Sequence, residues 1–154
     1  MARSNRQLTQ FAVDKLRQYI IYGPDNFKNE KAGNTEVILN RCDECTGASV
    51  SIKLFGKEIL RLVTNPFHPT VFLGVGVFAG DFYDSKGRPS RTTRERLNGL
   101  LDALGYACFI PEGVRVFIGE DESCYIGKGD CCRYFDVSDP KMFILCNKSK
   151  LIFS

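Results

Sequence analysis

The 154-residue sequence has no tryptophan and a single histidine, His68. One histidine excludes every metal centre that needs two, including the H-E-x-x-H protease pattern. Long apolar runs are missing too: no stretch approaches the roughly eighteen residues of a membrane-spanning helix, and the opening MARSNRQLTQFAVDK lacks the apolar core of a secretory signal. A large excess of one charge is also absent. With 21 basic and 18 acidic side chains the net charge is only +3, far from the balance of a domain that lives on phosphate contacts. Any nucleic-acid site must then be a local patch. Glycines occur in GVGVFAG, but without a P-loop lysine or a G-x-G-x-x-G opening a helix, so nucleotide binding has no support. No internal repeat or low-complexity run is present.

What remains is an ordinary folding composition, 44% hydrophobic and 25% charged, with 12 Phe and 6 Tyr. The length suits one domain spanning residues 1–154. The seven cysteines are odd in number and the chain is large enough to fold without disulfides, so they read as reduced thiols of a soluble, cytoplasmic protein.

Ser4 and Gln7 have capping-box spacing, and Leu8, Phe11, Ala12, Leu16, Tyr19 and Ile20 recur at helical intervals. A helix over about residues 5–21 is predicted, stopped by Gly23 and Pro24. DNFKNEKAGN reads as a polar loop. The period then becomes that of strands in TEVILN, ASVSIKL and EILRLV, with a tight turn at Phe55-Gly56-Lys57, and again in VFLGVGVF. Gly74 and Gly76 share one face of that last strand, where another element could approach closely.

A second helix is predicted over about residues 93–104. Thr92 and Glu95 supply a T-x-x-E box, Leu97, Leu100, Leu101 and Leu104 form a core-facing stripe, and Gly105 ends it. YACFI, VRVFIG, CCRYFDV, KMFILC and KLIFS read as further strands, and GEDESCYIGKGD as a polar loop. The order implies an α+β fold: a mainly antiparallel sheet of hairpins with two amphipathic helices.

The richest local signal is RPSRTTRERLN. Arg94 and Arg96 fall in the first helical turn, where positive charge opposes the helix dipole. Together with Lys86, Arg88 and Arg91 they are candidates for binding an anion, such as a nucleic-acid phosphate, at the helix start. The competing reading is a solvated face on which they pair with Asp81, Asp84, Glu95 and Asp102.

ASVSIKLFGKEILRL followed by SRTTRERLNGLLDALGY resembles a small protein type of unknown function encoded by tailed bacteriophages, in which a strand pair precedes a TTRERLN helix and a final hairpin. The resemblance covers about residues 48–119 and rests mainly on Thr92 to Asn98. It implies a phage context, hence the host cytoplasm, and brings no known catalytic activity with it. The first helix, the C-x-x-C and the carboxy-terminal strands depart from the pattern.

RCDECTG places Cys42 and Cys45 in a knuckle-like C-x-x-C turn, the main metal-like signal. Structural zinc would need two more ligands from Cys124, Cys131 and Cys132, of which the adjacent pair points to opposite faces in a strand. Free thiols and no cofactor are the expectation. His68, in NPFHPT, has no local motif that would make it catalytic. The expected function is therefore non-catalytic: an accessory protein of phage type that binds a host or viral macromolecule, a protein in preference to a nucleic acid. The alternatives are a virion or assembly component that self-associates, and a nucleic-acid-binding or nuclease-like protein using the Arg88–Arg96 region.

Overall fold

Ser4 and Gln7 close the first helix start reciprocally. The Gln7 amide donates to the Ser4 hydroxyl at 3.2 Å, and the Ser4 amide donates to the Gln7 side chain at 2.8 Å. Two amides left over at a helix start are thereby satisfied. Helix α1 runs Asn5–Tyr22, buries Leu8, Ala12, Val13, Leu16 and Tyr19, and ends at Gly23, with φ 75°.

The computed structural model describes residues 3–41, 48–64, 72–80, 82–135 and 141–145. Besides α1 they contain helix α2 (Arg91–Tyr106) and strands β1 (Glu30–Ala32), β2 (Thr35–Arg41), β3 (Ala48–Leu54), β4 (Lys57–Thr64), β5 (Phe72–Phe78), β6 (Arg115–Ile118), β7 (Cys124–Lys128), β8 (Cys131–Tyr134) and β9 (Lys141–Leu145). The fold is α+β, with every strand pair antiparallel. One sheet has six strands in the order β1-β2-β3-β4-β5-β9, and a second has β6-β7-β8.

Register makes one face of the large sheet apolar. Ile52 lies opposite Val37 and Leu60, Val50 opposite Leu62, and Leu62 and Leu60 opposite Val75 and Val77. All seven are buried in one core with both helices. The alternate positions carry a polar network, in which Asn40 donates to Ser51 at 2.7 Å, and Ser51 and Arg61 both donate to Glu58. The β3–β4 turn is two residues long, Phe55 and Gly56, both at positive φ (52° and 80°), as a hairpin with primed geometry requires.

Helix α2 joins the layers. At Gly99 it meets α1 so closely that a Cβ would lie 2.4 Å from the Thr9 methyl. At the preceding position, Asn98 accepts from the Val116 amide at 2.7 Å and donates to the Val116 carbonyl at 2.9 Å, copying a strand partner for β6.

Several expectations need correction. The second helix starts at Arg91, two residues early, because the Ser90 hydroxyl, not that of Thr92, accepts from the Thr93 amide. It also runs past Gly105. That glycine is needed for packing, since a Cβ there would come within 3.2 Å of the Glu112 Cα. YACFI is not a strand. The Phe109 amide donates to the Leu104 carbonyl and the Cys108 amide to the Gly105 carbonyl, which is the Schellman arrangement with Cys108 in its left-handed position. Two strands also sit where loops are predicted: β1 is short and charged, and β7 hides its alternation of buried Cys124 and Ile126 between acidic flanks. KLIFS lies outside the described residues.

Cys108 has φ 63° and an exposed side chain, a conformation that glycine adopts without steric cost. Cys108→Gly is expected to raise unfolding stability by about 0.5–1 kcal/mol. A urea midpoint that falls would show that the thiol contributes more than the strain costs.

Candidate binding surface

The loop before α2 folds around one carboxylate. Tyr83 and Pro89 form a bridge, and between them the Asp84 side chain accepts from the amides of Lys86 (2.9 Å) and Arg88 (3.1 Å) and from Arg88 Nε (2.7 Å). Arg94 Nη2 lies 3.8 Å from the same carboxylate. Partial burial works against the charge of Asp84, but the Arg88 side chain and then the two amides outweigh it, holding the carboxyl below its ordinary 3.8.

The five predicted anion-binding cations are thus largely engaged. Lys86 pairs with Glu122 at 2.7 Å, Arg88 with Asp84, and Arg91 with Glu95 at 2.8 Å. Arg94 also donates to the Pro89 carbonyl at 3.0 Å. Of the predicted acidic partners, Asp84 and Glu95 serve as such, Asp102 instead takes Arg115, and Asp81 lies outside the described residues. Arg96 is a correction: it is completely buried and cannot meet an external anion. Its guanidinium donates to Thr9 Oγ1 (3.3 Å), Thr35 Oγ1 (2.9 Å) and Asn5 Oδ1 (2.8 Å). Burial lowers its pKa to about 10, which still leaves it charged at neutral pH. The sequence held a sign of this, because position 96 shares a helical stripe with Leu100 and Ala103.

Cys42, Cys45 and His68 lie outside the described residues. Among the described ones, no group of three or more His, Cys, Asp or Glu is placed to hold a metal ion. Burial pushes the Cys124 thiol up to about 11, the opposite of an activated nucleophile.

A surface that sequence reasoning missed lies on the small sheet. Register sets Phe117 opposite Tyr125, and Tyr125 opposite Tyr134. Their rings form a ladder across three strands, with both centroid separations 5.9 Å and interplanar angles of 26° and 72°. Val116, Cys124 and Ile126 point the other way, into the core. Phe117 is 39% and Tyr134 47% exposed. Tyr125 is fixed by donating its hydroxyl to Asp121 at 2.6 Å, and Gly119 leaves it room, since a Cβ there would stand 2.8 Å from the ring. Beside it runs an open groove of about 370 Å³, lined by Phe117, Gly119, Glu120, Asp121, Tyr125 and Cys132. The signal that would have found it is the pairing of each outward aromatic with a neighbour of opposite facing, Val116-Phe117 and Tyr125-Ile126.

Comparison with protein-family models, curated proteins and solved structures finds no match to this chain. No helix among the described residues is long and apolar enough to cross a membrane.

Two tests follow from the charged groups. Asp84, with its pKa depressed, contributes stability that is full above the ordinary value of 3.8 and is lost as pH falls through the lower folded value. Asp84→Asn should therefore lower stability at neutral pH and flatten its decline between about pH 4 and pH 2. Parallel curves of urea midpoint against pH for variant and wild type would refute this. Thr35→Val keeps side-chain shape but leaves a buried guanidinium nitrogen without its acceptor. The expected cost is about 1–3 kcal/mol. Adding Arg96→Met should recover part of it, because the penalty belongs to the orphaned charge. Strictly additive losses in a double-mutant cycle would contradict that origin.

Proposed function

We propose that the protein acts without chemistry of its own, by holding a protein partner on the outer face of the three-stranded sheet, in the phage context that its sequence resemblance implies. The observation that carries this reading is the exposed ladder of Phe117, Tyr125 and Tyr134. Single exposed aromatics are ordinary on protein surfaces, but three in register on one rigid sheet face form a preorganised apolar patch. Aromatic side chains lose little rotamer freedom on binding and dominate the energetics of protein interfaces. The nucleic-acid reading of the Arg88–Arg96 region is weaker, because its cations already serve Asp84, Glu95, Glu122 or the interior.

Phe117→Ser combined with Tyr134→Ser tests the reading, since both side chains face outward and the fold should survive. In-cell crosslinking of tagged protein is expected to recover a defined partner, and the double variant should lose it by at least about tenfold, the equivalent of ~1.4 kcal/mol. Unchanged recovery from a variant with unchanged thermal unfolding would sink the proposal. Should the recovered partner be a second copy, sedimentation would show a concentration-dependent oligomer that the same substitutions abolish.

A further inference from the structure

We infer that the groove beside Tyr125 receives a cationic side chain, an arginine or lysine carried on an exposed segment of the partner. This deepens the binding role proposed above and rests on it. Three observations converge. The groove wall is aromatic, and the face of an aromatic ring attracts cations through its quadrupole. Its rim is anionic: Glu120 is exposed and has no hydrogen bond or ion pair among the described residues, while Asp121 sits at the same end. The Tyr125 hydroxyl and the Ser123 amide hold the Asp121 carboxyl below its ordinary range, so it stays charged at neutral pH. The third acid of this turn, Glu122, already takes a lysine, Lys86, at 2.7 Å.

Shape agrees with charge. An arginine or lysine has an apolar stem that can lie along Phe117 and Tyr125 while its head reaches the carboxylates. The segment that builds the small sheet is itself net acidic. Residues 111–135 hold five acidic and three basic side chains in a chain whose net charge is +3. One of those cations, Arg115, is bound to Asp102 at 3.0 Å. A single-stranded nucleic acid would find rings to stack on, but its phosphates would face Glu120 and Asp121 where such sites need a positive groove.

The test titrates the 154-residue protein with three capped five-residue peptides, Gly-Arg-Gly-Arg-Gly and its counterparts with glutamine or glutamate in place of arginine, and with an oligothymidine of eight nucleotides. Ring-proton resonances of Phe117, Tyr125 and Tyr134 are followed by NMR. The arginine peptide is expected to shift these rings saturably, and more weakly as salt rises from about 50 to about 300 mM. Glu120→Gln should reduce its affinity about threefold while leaving the thermal midpoint unchanged, because Glu120 holds nothing in the fold. Asp121 is not used for this purpose, since it also positions Tyr125. Equal binding of the glutamine peptide would overturn the cationic assignment and leave the aromatic face as a binding surface. Ring shifts with the oligonucleotide and not with the arginine peptide would overturn it in favour of nucleic acid. No shift with any probe also overturns it, and the crosslinking of the Phe117 and Tyr134 variant then decides separately whether the face binds a partner at all.

Discussion

A guanidinium with no exposure to solvent sets the geometry around which the helices and the large sheet assemble. Among the described residues Arg96 has no carboxylate in hydrogen-bond contact, and its guanidinium donates to three neutral oxygens there, from Asn5 and Thr9 on α1 and Thr35 on β2. Taking such a group from water costs several kcal/mol before any bond is made. The cost is met only when helix, helix and strand all deliver an oxygen to within about 3 Å of the right nitrogen. A shift of α1 by one residue would move both its acceptors off the fork. The same distances therefore fix the axial register of α1 against α2 and the height of both above β2. That is a specifying role for a buried charge, and an apolar side chain at position 96 would tolerate many more arrangements.

The two residues that follow nearby on α2 complete the constraint. Gly99 lets the helix axes close at Thr9, where any side chain would collide, and Asn98 holds the β6 backbone from its other flank. Within four positions, 96 to 99, α2 binds α1, the large sheet and the small sheet by three different means. A segment that looks from its composition like a basic recognition helix is the internal joint of the molecule. The bond from Asn98 has a second effect: it occupies an edge of β6 that would otherwise offer a free backbone ladder to another chain.

The elements legible from the sequence are those whose own residues decide their structure. The Ser4–Gln7 box, the stripe of α1, and the β-branched alternation in ASVSIKL and EILRLV need nothing from elsewhere, and the α+β class follows from their order. The Thr92 box failed because Ser90 offers the same hydroxyl two residues earlier, and the choice depends on the Tyr83–Pro89 bridge that orients the loop. β7 was invisible because Glu120, Asp121 and Glu122 swamp a five-residue alternation. Its central place in the small sheet depends on pairing with one strand on either side. Gly127 shows how tight that pairing is, since a Cβ would lie 2.2 Å from the Cys131 carbonyl oxygen. The burial of Arg96 is hidden for a related reason: charge marks a residue as costly to bury, yet it does not say whether neighbours supply the compensation.

The aromatic face belongs to the same class of feature, because Phe117, Tyr125 and Tyr134 come from three strands and meet only through register. Their position also separates binding from folding. The small sheet turns Val116, Cys124 and Ile126 to the core and is anchored to α2 through backbone bonds at Val116, so its stability does not depend on what its outer rings touch. Rings held in fixed rotamers by Asp121, Gly119 and one another lose little entropy when a partner arrives. A surface built this way can change its side chains, and hence its partner, with little consequence for the core beneath. The buried joint at Arg96 has no such freedom, because its acceptors come from both α1 and β2, and a change at any of them disturbs how α2 packs on those elements.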